Sequence, residues 1–458
     1  MKKETLKTLI LTLLIFSSVI LSVQVLLQNA SWTTDISLLS LLAGTESEKE
    51  EAININDTGA LSSVFSPSSF LLTYADGRLF YSSTQQEGKD IRTPFNRILK
   101  SALQSENAVT VTEEDWQSAL QQQSIYADYF VPVSVDAMSA FLGNTKTARF
   151  DTEAFDRIVV CFNPVTSGAE VFLRDSASDK QVSIPVGDAT ALQTMFDSFA
   201  NAPKQSYSYA FELNLDKKMD GADVQQNVLL DSYVLLPLEP HAMNIIRAQN
   251  VAFNEKNTDR ILTLFGYNPK IVRKFTENNG NLLFVDQYST LSVNPASGHL
   301  IYTAESGRGI PLQGDGSLSS NATACGKLLD DLFNLFEMDP NVTLFINTPL
   351  TGTAKDKYTV SFEYLFDGNR ILSKKNSCEI TVDDGKIINF RATIRNYTLV
   401  SDAGERHAIE VLDYLYSSME QDMLVVNELY TGYTQSNGDM PMTWKAGIEG
   451  SREIITVE

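Results

Sequence analysis

The chain has 458 residues, a formal net charge of −21 and an apolar and aromatic fraction of 43%. That length and content bury a real core and leave room for two or three domains. The charge repels nucleic acid and anionic headgroups, and three scattered cysteines, Cys161, Cys325 and Cys378, form neither a disulfide framework nor a metal motif.

Lys2, Lys3 and Lys7 precede an apolar run, residues 9–27, that holds no charge. As a helix the run is about 28 Å long, close to the hydrocarbon thickness of a bilayer. Basic flanks stay cytoplasmic, so the expectation is a cytoplasmic tip at 1–8, one membrane crossing at 9–27 and an extracytoplasmic body. A cleaved export signal wants small residues at the first and third positions before the cut. Ala30 fits the first, but Gln28 then occupies the other, which favours an uncleaved anchor. Thr12, Ser18 and Ser22 interrupt the run. Ser18 and Ser22 are four apart on one helix face, where small hydroxyl side chains admit a second helix. The plainer alternative is hydroxyls bonding their own backbone.

Residues 28–62 form a polar tether. A first unit, 63–150, opens with a hairpin at 70–74 and 78–82 around Asp76-Gly77, a two-residue turn signal. Phe95, Ile98, Leu99, Ala102 and Leu103 have helical spacing. Thr112 with Asp115 makes a weak capping box ahead of Trp116 and Leu120. A strand at 125–131 and a helix at 135–142 close the unit. A central unit, 151–268, reads as strands at 157–162, 169–174 and 181–185, a helix at 189–199, then strands at 207–214 and 228–236. A helix with Ile261, Leu262 and Leu264 stops at Gly266.

A C-terminal unit, 269–458, repeats that order. It has three strands to residue 304, a glycine-rich loop at 306–316, and a helix with Leu328, Leu329, Leu332, Phe333 and Phe336. A meander of strands follows over 342–394, then a helix at 406–419 and late strands at 423–433 and 443–446. Paired strands with interspersed helices predict an α+β body of antiparallel sheets with packed helices, its last two domains alike.

The residues offer little chemistry. His241, His299 and His407 have no metal-ligand spacing. The loop Gly307-Arg308-Gly309 to Gly316 lacks the Lys-Ser/Thr ending of a phosphate cradle and reads as a mobile connection. Asp330-Asp331 and Asp383-Asp384 read as a helix surface and a turn. No cofactor is expected, and a binding or regulatory role is favoured over catalysis.

Several segments resemble the YycH family of membrane-anchored regulators of the YycFG (WalRK) two-component system of low-GC Gram-positive bacteria. They are Glu4-Thr5-Leu6-Lys7-Thr8 running into 9–14, and Val285-Asp286-Gln287 through Leu291 to Asn294 with Gly298 to Tyr302. Further on are Phe362-Glu363-Tyr364 with Asp367-Gly368, Ile380 to Ile387, Gly432-Tyr433 and Met440-Pro441-Met442-Thr443-Trp444. The resemblance implies a non-enzymatic, single-pass protein of the cell membrane. It would restrain a sensor histidine kinase beside a YycI-like partner through transmembrane contacts, with no catalytic residues. Two alternatives remain open: an anchored binding protein for a cell-wall polymer or peptide, marked by an aromatic-lined groove, and a hydrolase of dispersed residues, marked by a pocket of shifted acids or a histidine.

Overall fold

The structure, a computed structural model, describes residues 65–144, 147–163, 168–216, 228–251, 253–312, 316–351, 357–373, 375, 377–418, 424–436, 438–448 and 454–457. The expected tip, span and tether, with Thr12, Ser18 and Ser22, lie outside the described residues. Among the described residues no helix is long and apolar enough to cross a membrane.

The hairpin forms as its turn signal dictates. Strand β1 (Ser69–Tyr74) pairs antiparallel with β2 (Gly77–Ser82), and Tyr74 faces Gly77. Helix α1 (Gln86–Ala102) buries a stripe of Ile91, Phe95, Ile98, Leu99 and Ala102; it starts ahead of the apolar run and passes through Pro94. After β3 (Val109–Thr110), helix α2 (Glu113–Gln121) begins with the expected capping box: Thr112 accepts from the Asp115 N–H, and Asp115 accepts from the Thr112 N–H. Such a cap is worth about 1 kcal/mol. Trp116 and Leu120 are fully buried beneath it.

Strand β4 (Ser124–Ser134), helix α3 (Val135–Phe141), strands β5 (Ala154–Phe162), β6 (Ala169–Asp175) and β7 (Lys180–Val186), and helix α4 (Thr190–Phe199) follow. They complete one seven-stranded sheet in the order β2-β1-β4-β5-β6-β7-β3. This corrects the boundary drawn at residue 150. β5 pairs along β4 from Cys161 against Ser124 to Arg157 against Asp128, so the ladder crosses that point. A sheet left open at β4 would expose a row of unpaired backbone groups. The central unit accordingly has no separate first sheet with which to mirror the C-terminal one.

The second sheet has fourteen strands among the described residues. It runs from Arg273–Thr276 through the meander to Leu424–Thr434, Thr443–Ile448 and Ile454–Val457. Most pairings are antiparallel as expected, but Leu424–Thr434 lies parallel to Asn369–Leu372 and to Val228–Leu230. The expected strand at 207–214 ends at Tyr209 and turns into a 3-10 helix, Ala210–Leu213. A three-stranded ribbon of Arg395–Arg406, His241–Asn250 and Asp439–Pro441 was not foreseen. The fold is a mixed, sheet-rich α+β arrangement with seven α-helices among the described residues, the last three being α5 (Glu255–Leu264), α6 (Leu318–Phe333) and α7 (Ala408–Ser418).

One core cluster runs from Phe70, Phe95 and Val160 of the first sheet layer to Ile380 and Phe390 of the second. α3 packs on α6 where the layers meet. Leu350 seals the seam by backbone bonds: Ser134 N–H to Leu350 O at 2.8 Å, and Leu350 N–H to Pro132 O at 3.0 Å.

Candidate binding cleft

A cleft of about 820 Å³ opens between β2, β4 and β5 on one side and the turn at Asp367–Arg370 with the strand around Tyr430 on the other. Its floor is set by a break in register. The β4–β5 ladder stops at Asp128 opposite Arg157 and resumes only at Val133 opposite Phe155. Such irregularities bend a strand and re-aim its side chains. Here the residues between carry Phe130 onto Phe345, with ring centroids 4.2 Å apart.

Two cations meet the cleft, and both are held by carboxylates. Arg157 Nη1 lies 3.1 Å from Asp231 Oδ1 and its Nε 3.9 Å from Asp128 Oδ1, with the guanidinium over the Tyr233 ring. Burial opposes the Arg157 charge, but Tyr126, Asp231 and Asp128 outweigh it and hold the group protonated. Arg370 lies over Phe130, Phe345 and Tyr430, at 5.2, 5.4 and 5.2 Å from their centroids. Glu363 and Glu428 stand 3.9 and 3.7 Å from its nitrogens. Burial raises the Glu363 carboxyl, and Arg370 offsets this in part.

Against these two guanidinium groups the walls present six carboxylates: Glu87, Asp128, Asp156, Glu239, Asp367 and Glu428. Asp128 is the most perturbed. Its side chain keeps 43% of its accessible surface and lines the cleft. Crowding protein atoms therefore replace bulk water around it and push the carboxyl up to about 7. Arg157 opposes that rise, and Asp156 and Glu428 add to it. Tyr126 Oη donates to Asp128 Oδ1 at 3.4 Å. Aromatic side chains of Phe80, Tyr81, Tyr207, Tyr430 and Trp444 complete the lining.

The wall formed by β2 is the edge of the seven-stranded sheet. Its outward N–H groups are those of Arg78, Phe80 and Ser82, at every second residue. Gln205 pairs with Arg78 through its backbone, Gln205 N–H to Arg78 O at 2.7 Å. The Phe80 N–H donates instead to the Gln205 side-chain oxygen at 3.1 Å, and the Ser82 N–H to the Gln85 side-chain oxygen at 3.2 Å. Two glutamine amides thus stand where a neighbouring strand would.

The histidines do not converge on a metal. His241 lines the cleft, and burial lowers its pKa. His299 Nδ1 lies 3.2 Å from Thr393 Oγ1 on the large sheet, and His407 precedes α7. Among the described residues no group of three or more His, Cys, Asp or Glu is placed to hold a metal ion. Over its described part the glycine-rich loop, expected to be mobile, is tied to the large sheet at three points. Ile310–Pro311 pairs with the strand from Lys386, Lys386 Nζ donates to Gly307 O at 2.8 Å, and Ser306 Oγ donates to Asp383 at 2.8 Å. Of the paired acids, Asp383-Asp384 is a turn as read, with Asp384 at φ +49°. Asp330 departs from a plain helix surface: burial and Asp331 raise its carboxyl to about 7. The cleft acids went unnoticed in the sequence because they lie on separate strands, a helix and connecting turns far apart in the chain. The available signal was a charged residue inside an apolar strand, Asp128 in β4 and Arg157 in β5.

These features define a sheet-rich α+β body with an acidic, aromatic-lined cleft. The fold is YycH-like: the crystal structure of YycH from Bacillus subtilis matches it with a TM-score of 0.57, over 87% of this chain and 97% of that one, at 13% identity. No family model matches the chain, and no curated protein matches it in sequence. At that identity the likeness concerns the fold.

Proposed function

We propose that the protein is a non-enzymatic regulator of a sensor histidine kinase of the YycG (WalK) type, active in cell-envelope homeostasis. It is anchored in the cell membrane by residues 9–27 with its N-terminus cytoplasmic and its body outside. It acts beside a YycI-like partner, and its span packs on the kinase spans through the Thr12, Ser18 and Ser22 side of the helix. Regulation then requires unequal affinity for the two helix arrangements of the kinase. The observation that carries the reading is the YycH-like fold extending over 87% of the chain, joined to an uncharged apolar run of bilayer length.

The experiment is membrane co-purification of the intact protein beside a version whose span is replaced by an unrelated one of equal hydrophobicity. A kinase and a YycI-like protein recovered only with the native span support the reading. Equal recovery with both spans moves recognition to the body, and no kinase with either removes the regulator reading.

A second reading is favoured by one observation. The cleft is concave and aromatic-lined, as expected of an anchored binding protein for a wall polymer or peptide. Binding by the body would then survive removal of the span.

A further inference from the structure

We infer that the cleft is a binding site for a protonated alkyl amine, seated between Asp128 of β4 and Glu428 of the facing strand Leu424–Thr434, with aromatic rings around its stem. The inference rests on the second reading above and deepens it by naming the chemistry the cleft recognises. It does not depend on a kinase.

The charges of the cleft do not balance. Six carboxylates and two guanidinium groups line it. Arg157 is held by Asp231 at 3.1 Å, and Glu363 approaches Arg370 at 3.9 Å; neither of these two acids belongs to the lining. The cations are thus largely matched from behind, and the lining acids are left facing one another. Asp128 has only the 3.4 Å bond from Tyr126 and the 3.9 Å approach of Arg157, and Glu428 only the 3.7 Å approach of Arg370. Their side chains keep 43% and 51% of their accessible surface. A carboxylate can accept about four hydrogen bonds, so both retain open positions. Glu428 adds to the upward push on the Asp128 carboxyl across the cleft, a repulsion that an ammonium group between them relieves.

The walls suit an organic cation. A cleft of about 820 Å³ has the size of a small-molecule site. Phe80 and Tyr207 stack in it with ring centroids 5.3 Å apart, and Tyr81 and Trp444 offer further apolar faces for a methylene stem. His241, 6.1 Å from the Trp444 ring, is kept from charging by burial and adds no opposing cation. Trp444 is 3% exposed, and its Nε1–H has no acceptor among the described residues; the Tyr430 hydroxyl is likewise buried without a partner. Such orphans are costly unless something completes them. They favour an amine that also carries carbonyl groups, as a lysine-bearing peptide does. A bare metal ion needs several oxygens converging on one point, and among the described residues no such group exists.

The test is isothermal titration calorimetry of the full-length protein at fixed ionic strength with a blocked Gly-Lys-Gly peptide. Saturable binding is expected, weakened about tenfold by Asp128→Asn and by Glu428→Gln, a change of one charged contact each. Asp259→Asn, on the exposed face of α5 outside the cleft, should leave it unchanged. The same peptide acetylated on the lysine nitrogen should not bind. Spermidine separates the sources of the amine: tighter binding of the peptide assigns the site to a lysine chain, and tighter binding of spermidine to a free polyamine. The inference is overturned by no saturable binding of either probe, by equal binding of the acetylated peptide, by equal weakening from Asp259→Asn, or by full displacement with Mg²⁺ at equal charge concentration. Retention of the protein on purified wall polymer that survives both saturating peptide and Asp128→Asn would keep the second reading and overturn this one.

Discussion

Gly368, in a turn of the large sheet, sits directly against Ser82 at the end of β2: a Cβ built on Gly368 would lie 1.9 Å from Ser82 Oγ. The same glycine has φ +79°. Both residues line the cleft.

Two effects are therefore superposed at Gly368, and a second glycine separates them. Gly280 has φ +83° with no atom near the position of an added Cβ. Gly280→Ala should cost about 1 kcal/mol from the backbone alone. Gly368→Ala should cost about 3 kcal/mol, because the seam must also move. Equal losses in denaturant unfolding would show that the seam yields freely.

Arg370, which lines the cleft, and Glu363 form a largely buried charge pair, with side-chain exposures of 12% and 7%. Arg370→Met strands the carboxylate and should cost about 3 kcal/mol, and adding Glu363→Gln should recover most of that loss. The sign with pH follows from burial, which raises the Glu363 carboxyl above its unfolded value. Its protonated form is favoured in the fold, so the deficit of Arg370→Met shrinks as pH falls and grows as it rises. A pH-independent deficit would place the cost in lost aromatic packing.

Asp128 gives a second pH effect. Its carboxyl titrates near 7 in the fold against 3.8 ordinarily. The folded state therefore holds the proton longer, and stability declines as pH rises between these values and is level above them. Asp128→Asn lacks this decline. It should match the native protein near pH 4 and exceed it by about 1 kcal/mol at pH 8, a figure discounted for the solvent that reaches the cleft. Thermal melts across that window decide it; parallel curves for the two proteins would rule it out.

Cys161, Cys325 and Cys378 are free and buried. Burial pushes the thiols of Cys161 and Cys325 up to about 12 and raises that of Cys378. A thiol reagent at pH 8 should label none of the three in the native protein and all of them in denaturant. Rapid native labelling of one would mean that its layer opens locally.

The elements legible in the sequence were those whose signal is local. The Asp76-Gly77 turn, the Thr112–Asp115 cap and the buried Leu329–Leu332 pair of α6 each lie within a few residues, and each formed, though α6 stops at Phe333, short of the expected Phe336. The ribbon of His241–Asn250 with Arg395–Arg406 was missed because the latter strand is exposed from Leu399 onward and shows no alternation. The first sheet was divided at residue 150 because strand pairing is not written in either strand alone. The YycH-like fold was legible only through short motifs spread along the chain. The cleft was not, since Asp128, Arg157, Asp367 and Glu428 are joined only by the bend of β4 and the seam at Leu350.

That seam also governs how the chain comes into being. Synthesis delivers the strands of the first sheet long before Leu350, Phe362 or Phe390 exist, yet all share one apolar cluster. Until the later half arrives, the early half carries bare apolar surface at α3, a hazard that invites wrong partners. The two layers in this sense complete one another: a chain stopped before residue 350 lacks the Leu350 bonds to Pro132 and Ser134 and the later members of the shared cluster.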